Sequence, residues 1–455
     1  MLFLSCKKEI PVHSFMRRVF PYIALALACC LAAAHVRASG RDELKARRLH
    51  AAQVFSDGIL LVRSAIAFPG AADSYHENAS FYYLTGIENT PGATLAIDGK
   101  TGENWLFVRV SSSGVPLGTA PGDASAQRLG LEHVINWTEL DSFLSQRIQT
   151  GAKFYCEPET PELPPSLSAA SGNSTPAWIQ VLQKKWPSLK IQLVAFQLND
   201  LMNIESPAEQ ELSRAAARAT VAAVMTGIKT IRSAISQREV ELAVVNACWG
   251  AGANGVAFWP WAMAGANGVF PKPFESFRRY DHLNAIMQPG DLVRLDVGCE
   301  WQHYEGDLGR TVPVSGHYSD EQREIWNVFV AAYHAGSKQL HAGATKDQVF
   351  DAWSAELLRH RETVKSALAK EAVDAWSQRT NVPFWQIHTS NLTTGYINGP
   401  LLEGMVIDFE PIVSISGQGY YLEDMYLVKK GSAEILTPGV PYTAEEIEAA
   451  MNQTH

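Results

Sequence analysis

The sequence predicts two domains behind a short leader: an α/β unit over residues 41–200 and an α+β unit over 201–445. Three observations carry this. At 455 residues the chain is too long for one ordinary core. Upstream of about residue 200, short apolar runs alternate with turn signals. Beyond it, a strongly capped helix opens a region where long helices and strands ending in acids follow one another.

The leader comes first in the chain. Met16-Arg17-Arg18 supplies positive charge, Tyr22 to Ala34 is almost wholly apolar, and Val36-Arg37-Ala38 has the form of a small-residue cleavage site. The apolar run is too short for a hydrocarbon core of roughly 30 Å, so a cleaved signal peptide is the better reading than a membrane anchor. Residues 1–15 read as an upstream extension of the 1–38 leader, with Met16 as the candidate start. Cys29 and Cys30 raise a lipid-modified cysteine as the weaker alternative. The expectation is an exported protein, periplasmic or secreted, with no stable membrane insertion after processing.

In the first domain, Gly58-Ile59-Leu60-Leu61-Val62, Thr94-Leu95-Ala96-Ile97, Trp105-Leu106-Phe107-Val108 and Ile191-Gln192-Leu193-Val194 read as strands. Trp178 to Trp186 reads as a short helix, and Pro158 to Pro176 as a surface loop. In the second, Ser206-Pro207-Ala208-Glu209 combines an N-cap, a proline in the first turn and a capping-box glutamate. The helix it opens runs to about Ile231, and another starts near Gln237. Further helices fall near 319–340 and 345–360, with β-rich segments around 291–298, 404–410 and 420–428.

Composition narrows the function. A net charge of -9 with no basic stripe gives no reason to expect a nucleic-acid partner. Of the six cysteines, Cys156, Cys248 and Cys299 lie outside the leader; an exported protein could pair two of them, but their wide, odd spacing matches neither a disulfide framework nor a zinc motif, so buried thiols are expected.

The chemistry lies in the acids. Asp296 ends the apolar run Leu292-Val293-Arg294-Leu295, where a lone carboxylate is costly. Asp307 follows at the start of another strand-like stretch, and a hairpin would set the two side by side. Adjacent aspartates repel unless a proton or cation lies between them. Downstream, Glu410 ends Val406-Ile407-Asp408-Phe409, while Glu423 and Asp424 stand amid large apolar residues. Between the pairs His388 closes Phe384-Trp385-Gln386-Ile387. Four carboxylates and an imidazole suit two divalent cations.

These residues resemble the pita-bread metallopeptidases, a family that includes methionine aminopeptidase, aminopeptidase P, prolidase and creatinase. Asp296-Val297-Gly298, Asp307-Leu308-Gly309-Arg310-Thr311, His388, Gly404 to Pro411 with Glu410, and Glu423-Asp424 follow the family's D-x-G, D-x-[ST]-R-T, histidine, G-M-x-x-x-x-E-P and E-D in order, departing in the second motif only at Gly309. In the first domain, Asn78-Ala79-Ser80-Phe81-Tyr82-Tyr83-Leu84-Thr85-Gly86 with Pro91-Gly92 is similar to the F-x-Y-L-T-G stretch of the aminopeptidase P and prolidase branch. The resemblance implies a creatinase-like N-terminal domain and a pita-bread catalytic domain. It also implies two divalent metal ions: manganese first, with cobalt, iron or zinc as alternatives. Asp296 would hold one ion, Asp307 and Glu423 would bridge both, and His388 and Glu410 would complete the second. Such a pair lowers the pKa of water for attack on a scissile carbonyl. Glu410 would be the general base, and Asp424 would orient ligands unless it is an exposed turn acid.

Three substrate-side residues depart from the pattern. Lys272 stands where Gly265 to Pro271 leads to a family histidine, with His282 as a distant substitute. No histidine follows His388 through Thr389-Ser390-Asn391-Leu392-Thr393-Thr394-Gly395. Tyr421 stands where proline-directed members carry arginine. Lys272 as a cation, and Tyr421 and Tyr396 as hydrogen-bond donors, are the expected replacements. The resemblance implies an exopeptidase acting on a peptide substrate, removing the residue before proline, and a homo-oligomer. The rivals are a prolidase-like dipeptidase and an inactive peptide-binding relative.

Overall fold

The computed structural model describes residues 40–65, 77–158, 175–194, 196–272 and 283–452. The leader, most of the loop expected between Pro158 and Pro176, and His282 lie outside the described residues. The chain divides into two compact units between residues 195 and 196. The short helix Phe196–Met202 opens the second unit. No described helix is long and apolar enough to cross a membrane.

The first unit is built on six strands: β1 (Gly58–Arg63), β2 (Thr94–Asp98), β3 (Asn104–Val108), β4 (His133–Asn136), β5 (Lys153–Cys156) and β6 (Lys190–Leu193). They lie in the order β4-β3-β2-β1-β5-β6. β1-β2-β3 is an antiparallel meander, and β4, β5 and β6 join in parallel. Ile59, Leu61, Ala96, Phe107, Phe154 and Ile179 form one core on the helical side. The aromatic signature is a helix, Ala79–Thr85. Asn78 caps it by accepting the Phe81 N–H, and Gly86 ends it at φ 62°, a left-handed conformation that glycine adopts without Cβ strain.

The second unit holds the strands β7 (Gly255–Val256), β8 (Trp261–Ala264), β9 (Leu292–Val297), β10 (Cys299–Trp301), β11 (Tyr304–Glu305) and β12 (Leu308–Pro313). They are followed by β13 (Phe384–Ser390), β14 (Thr394–Tyr396), β15 (Val406–Ile415), β16 (Gln418–Tyr421), β17 (Asp424–Val428) and β18 (Ala433–Ile435). One sheet runs β12-β9-β8 and a small one β11-β10-β7. The largest runs β14-β13-β15-β17-β18, with β16 also on β15. The helix Pro207–Thr230 begins with the expected capping box of Ser206 and Glu209. Behind the large sheet, Trp326, Phe329, Trp353, Trp376 and Tyr420 are buried in the core cluster. Phe329 meets Trp353 and Trp376 edge-on at 5.1 and 5.7 Å between centroids, the arrangement aromatic quadrupoles favour.

The expected hairpin between the two aspartates is longer than a single turn. β9 and β12 pair directly, with Val297 opposite Leu308, and the chain between them extends as the smaller β10–β11 hairpin. Glycines mark the bend: a Cβ on Gly298 would sit 2.3 Å from the Gly306 carbonyl oxygen.

The expectation of buried thiols is corrected for two cysteines. Cys248, in the helix Gln237–Gly250, and Cys299, on β10, form a disulfide across Cα atoms 5.5 Å apart. The partners are 51 positions apart in the chain, and only the packing of that helix beside β10 brings them together. Cys156 is a buried thiol in the first unit.

Candidate metal centre

Side chains alternate across a strand, so residues two apart share a face. On β9 that face carries Arg294 and Asp296; on β15 it carries Asp408 and Glu410. β13 lies antiparallel to β15 with His388 opposite Asp408 and Gln386 opposite Glu410. Glu423 lies between β16 and β17. It forms a two-way backbone bridge with Gly309 on β12: its N–H donates to the Gly309 carbonyl (3.1 Å) and its carbonyl accepts the Gly309 N–H (3.3 Å). This bridge joins the sheet that carries the aspartates to the sheet that carries the histidine and glutamates.

The result is one buried acidic pocket. Asp296, Asp307, His388, Asp408, Glu410 and Glu423 are all buried. His388 Nε2 lies 3.3 Å from Glu410 Oε2 and 3.5 Å from Glu423 Oε1, and Nδ1 lies 3.7 Å from Asp408 Oδ2. Asp307, His388 and Glu423 offer ligand atoms that all fall within 4.8 Å of one another. Asp307 Oδ1, Glu423 Oε1 and both oxygens of Asp408 accept no hydrogen bond, although they are buried. Unpartnered buried carboxylate oxygens are expensive, and this donor set fits hard or borderline divalent cations.

The protonation states reflect the same crowding. Burial, with Glu423 and Glu410 adding to it and Arg294 opposing, pushes Asp296 up to about 8. Burial and the charges of Glu423, Asp296 and Asp408 hold Asp307 well above the usual carboxylate range. Burial raises Asp408 as well, against His388. Glu410 is raised by burial and then by Glu423. Burial alone would lower His388, but the carboxylates of Glu410 and Glu423 beside its Nε2 and the charge of Asp408 outweigh it and raise the imidazole well above its ordinary value. Opposing perturbations of this kind cluster at functional sites.

The five predicted ligand positions are all buried; Asp307, His388 and Glu423 form the mutually close group, and Glu410 lies against His388. The other predicted residues fare differently. Tyr421 is fully buried, and its hydroxyl donates to Glu423 rather than standing open toward a substrate oxyanion. Burial and the surrounding acids keep that phenol neutral. Tyr396 lies on β14 opposite His388 and is half-buried. Lys272 is exposed, outside the buried cluster, its N–H closing a turn on the Val269 carbonyl at 3.0 Å. Asp424 is no turn acid: it is fully buried and accepts from Arg310 (3.0 Å), Thr437 (2.9 Å) and Tyr442 (2.8 Å). Arg310 in turn donates to the Glu423 carbonyl at 2.8 Å, so Asp424 acts on the pocket through the Glu423 backbone.

Two residues escaped the sequence reading. Asp408 was legible as an acid two positions before Glu410 on the same strand face. Arg294 was hidden, because an arginine inside an apolar run gives no sign of its partner. Its guanidinium is buried, 2.8 Å from Asp296 Oδ2 and 3.6 Å from Glu410 Oε1, and 4.3 Å over the ring of Tyr421.

Comparison with known proteins agrees with this arrangement. The model of metallopeptidase family M24 matches residues 211–430, which include all the pocket residues. The Xaa-Pro aminopeptidase of Escherichia coli is 25% identical over 445 residues, covering 90% of this chain and 98% of its own length. The mitochondrial intermediate cleaving peptidase 55 of Arabidopsis thaliana is 24% identical over 394 residues, covering 83% of this chain and 76% of its own. The structure of Escherichia coli aminopeptidase P with the inhibitor Pro-Leu superposes with a TM-score of 0.69 at 22% identity, over 90% of this chain and 98% of the other; that likeness establishes the fold.

Proposed function

We propose that this chain is a member of metallopeptidase family M24 and a metal-dependent exopeptidase that hydrolyses the N-terminal peptide bond of peptides whose second residue is proline. The observation that carries this is the buried Asp307–His388–Glu423 cluster with unpartnered carboxylate oxygens, flanked by Asp296 and Glu410. The proposed cofactor is a pair of divalent ions, manganese first and cobalt, iron or zinc as alternatives. Asp296, Asp307, His388, Glu410 and Glu423 are the ligands.

When bound, such ions lower the pKa of water and polarise a carbonyl oxygen. The remaining work belongs to the chain. Glu410 has a raised pKa and lies beside His388, which suits it to take the proton of the attacking water and deliver it to the leaving amine. Tyr421 holds one oxygen of Glu423 and leaves Oε1 facing the pocket. Lys272 stays the proposed cation for a charged or polar part of the peptide, and its exposure supports that reading.

We also propose that the protein is exported. The leader pattern of Met16 to Ala38 supports this, and so does the Cys248–Cys299 disulfide, which persists in oxidising compartments.

The test is hydrolysis of an Xaa-Pro peptide panel by metal-stripped protein with and without added manganese, alongside Asp307→Ala. Manganese-dependent release of the first residue from tripeptides, lost in the variant, is expected. Cleavage of Xaa-Pro dipeptides alone would make the protein a dipeptidase. Peptide binding without turnover would refute catalysis.

A further inference from the structure

We infer that the first unit carries a binding site of its own for a phosphate-class oxyanion, formed by Arg63, Thr94 and Arg109 at one edge of its sheet. The site shares no residue with the metal pocket and does not depend on the peptidase reading.

Strand register brings the side chains together. Arg63, the last residue of β1, lies directly opposite Thr94, the first of β2, and Thr94 lies opposite Phe107 on β3. Residues opposite each other in an antiparallel pair project from the same face. Arg109 follows Phe107 by two positions, and its guanidinium converges with that of Arg63. A Cβ on Gly92 would lie 3.3 Å from Arg109 Nη1 and 3.9 Å from Arg63 Nη2. Glycine at this turn, at φ 71°, keeps that point clear.

Two like charges so close call for an anion. Among the described residues, neither guanidinium has a hydrogen-bond acceptor or a carboxylate partner. Arg63 Nε and Thr94 Oγ1 are buried without any hydrogen-bond partner, and Thr94 is 1% exposed. Leaving buried polar groups unpaired is costly, so two of them on adjacent strands point to an occupant. Burial, and then the charge of Arg109, hold the Arg63 guanidinium below its ordinary value, as expected of a cation lacking its counter-charge. Trp178 lies 5.4 Å from the guanidinium of Arg63 and Trp137 5.9 Å from that of Arg109. Such ring contacts steady the two forks and leave their N–H edges free to donate. Arg109 and Trp137 are exposed, which leaves the site open to solvent.

The donor set selects the ligand. Two guanidiniums and a hydroxyl offer a double positive charge and donors from more than one direction, matching the charge and tetrahedral oxygens of a phosphate dianion. One carboxylate would neutralise only one of the two cations.

The experiment is a calorimetric titration of the full-length protein with inorganic phosphate at low ionic strength, where screening is least. One phosphate should bind with a Kd of about 1 mM or tighter. Arg63→Met and Arg109→Met should each weaken binding at least about tenfold, and Thr94→Val severalfold. Asp307→Ala, altered in the metal pocket, should bind phosphate as wild type does. Acetate should bind at least about tenfold more weakly than phosphate. Phenyl phosphate separates the two sources of the group. Tighter binding than inorganic phosphate assigns a phosphoryl group carried on an organic molecule that lies against Trp137 or Trp178; equal or weaker binding assigns the free ion. As a second readout, phosphate should raise the Tm of wild type and not that of Arg63→Met. Should Arg63→Met fail to fold, Arg109→Met, at an exposed position, decides. No phosphate bound by wild type, acetate bound as tightly, binding retained in both arginine variants, or binding lost in Asp307→Ala overturns the inference.

Discussion

A Cβ placed on Gly309 would lie 1.7 Å from Cε1 of Tyr421, so the ring of one fills the space that a side chain on the other would need. These are two of the positions at which the sequence departs from the family pattern, which has serine or threonine at the first and, in proline-directed members, arginine at the second. The departures are coupled: glycine on β12 is the condition for a tyrosine on β16. The guanidinium of Arg294 then stacks on that tyrosine from β9, so a positive charge reaches the pocket from a different strand.

Gly309→Ala should therefore destabilise the protein by about 1–3 kcal/mol, the usual cost of overpacking a filled core. In a Tyr421→Ala background the same substitution should cost much less. Denaturant unfolding of the four members of this cycle measures the coupling; additive effects would show that the ring and the glycine do not compete.

Asp408 faces His388 Nδ1 at 3.7 Å with neither of its own oxygens hydrogen-bonded. Carboxylates behind a ligand histidine fix its orientation, and their loss weakens metal binding by roughly 10- to 100-fold. Asp408→Asn should weaken manganese binding by that order while leaving the stability of the metal-free protein little changed. Unaltered affinity in a calorimetric titration would make Asp408 a bystander.

The Cys248–Cys299 bridge closes a loop between positions 51 apart. Chain-entropy arguments assign such a loop about 4 kcal/mol. The double variant Cys248→Ser, Cys299→Ser should lose stability on that order in urea, and wild type under reducing conditions should lose a similar amount. Identical midpoints with and without reductant would contradict the bridge.

Glu241 is fully buried in the helix Gln237–Gly250, where it accepts from Trp259 Nε1 (3.0 Å) and the Ala262 N–H (3.3 Å). Burial outweighs those bonds and pushes its pKa up to about 7 from an ordinary 4.5. The folded state then holds this proton more tightly than the unfolded chain. The stability it contributes is fully present below pH 4.5 and is lost as pH rises through 7. Glu241→Gln carries no such dependence, so its melting temperature relative to wild type should climb between pH 4.5 and 7. A gap constant across that range would rule the effect out.

Much of the fold was legible because it is written locally. Short apolar runs bounded by turn signals marked β1, β2 and β3, the apolar run ending in Asp296 marked β9, and the Ser206–Glu209 capping box marked the start of the helix Pro207–Thr230. The β10–β11 hairpin was not legible. Its turn residues Gln302 and His303 adopt positive φ, 50° and 69°, without the Asn-Gly or Asp-Gly pair that announces such turns. The helix Ala367–Trp376 also went unread, in a stretch where no strong stop signal separates it from its neighbours.

By itself the sequence determined which side chains can do chemistry: the acids and the histidine, each at the end of or within an apolar strand where an unsatisfied charge needs a partner. Tertiary structure alone decided which of them meet. Strand registry between β13 and β15 and the bridge from Gly309 to Glu423 bring residues from 296 to 423 into one pocket. They also bring in Arg294 and Asp408, and set Cys248 beside Cys299. The physical reason is that burial costs are local and can be read along the chain, whereas the charges that offset them come from strands distant in sequence, and their arrival depends on how the sheets pack.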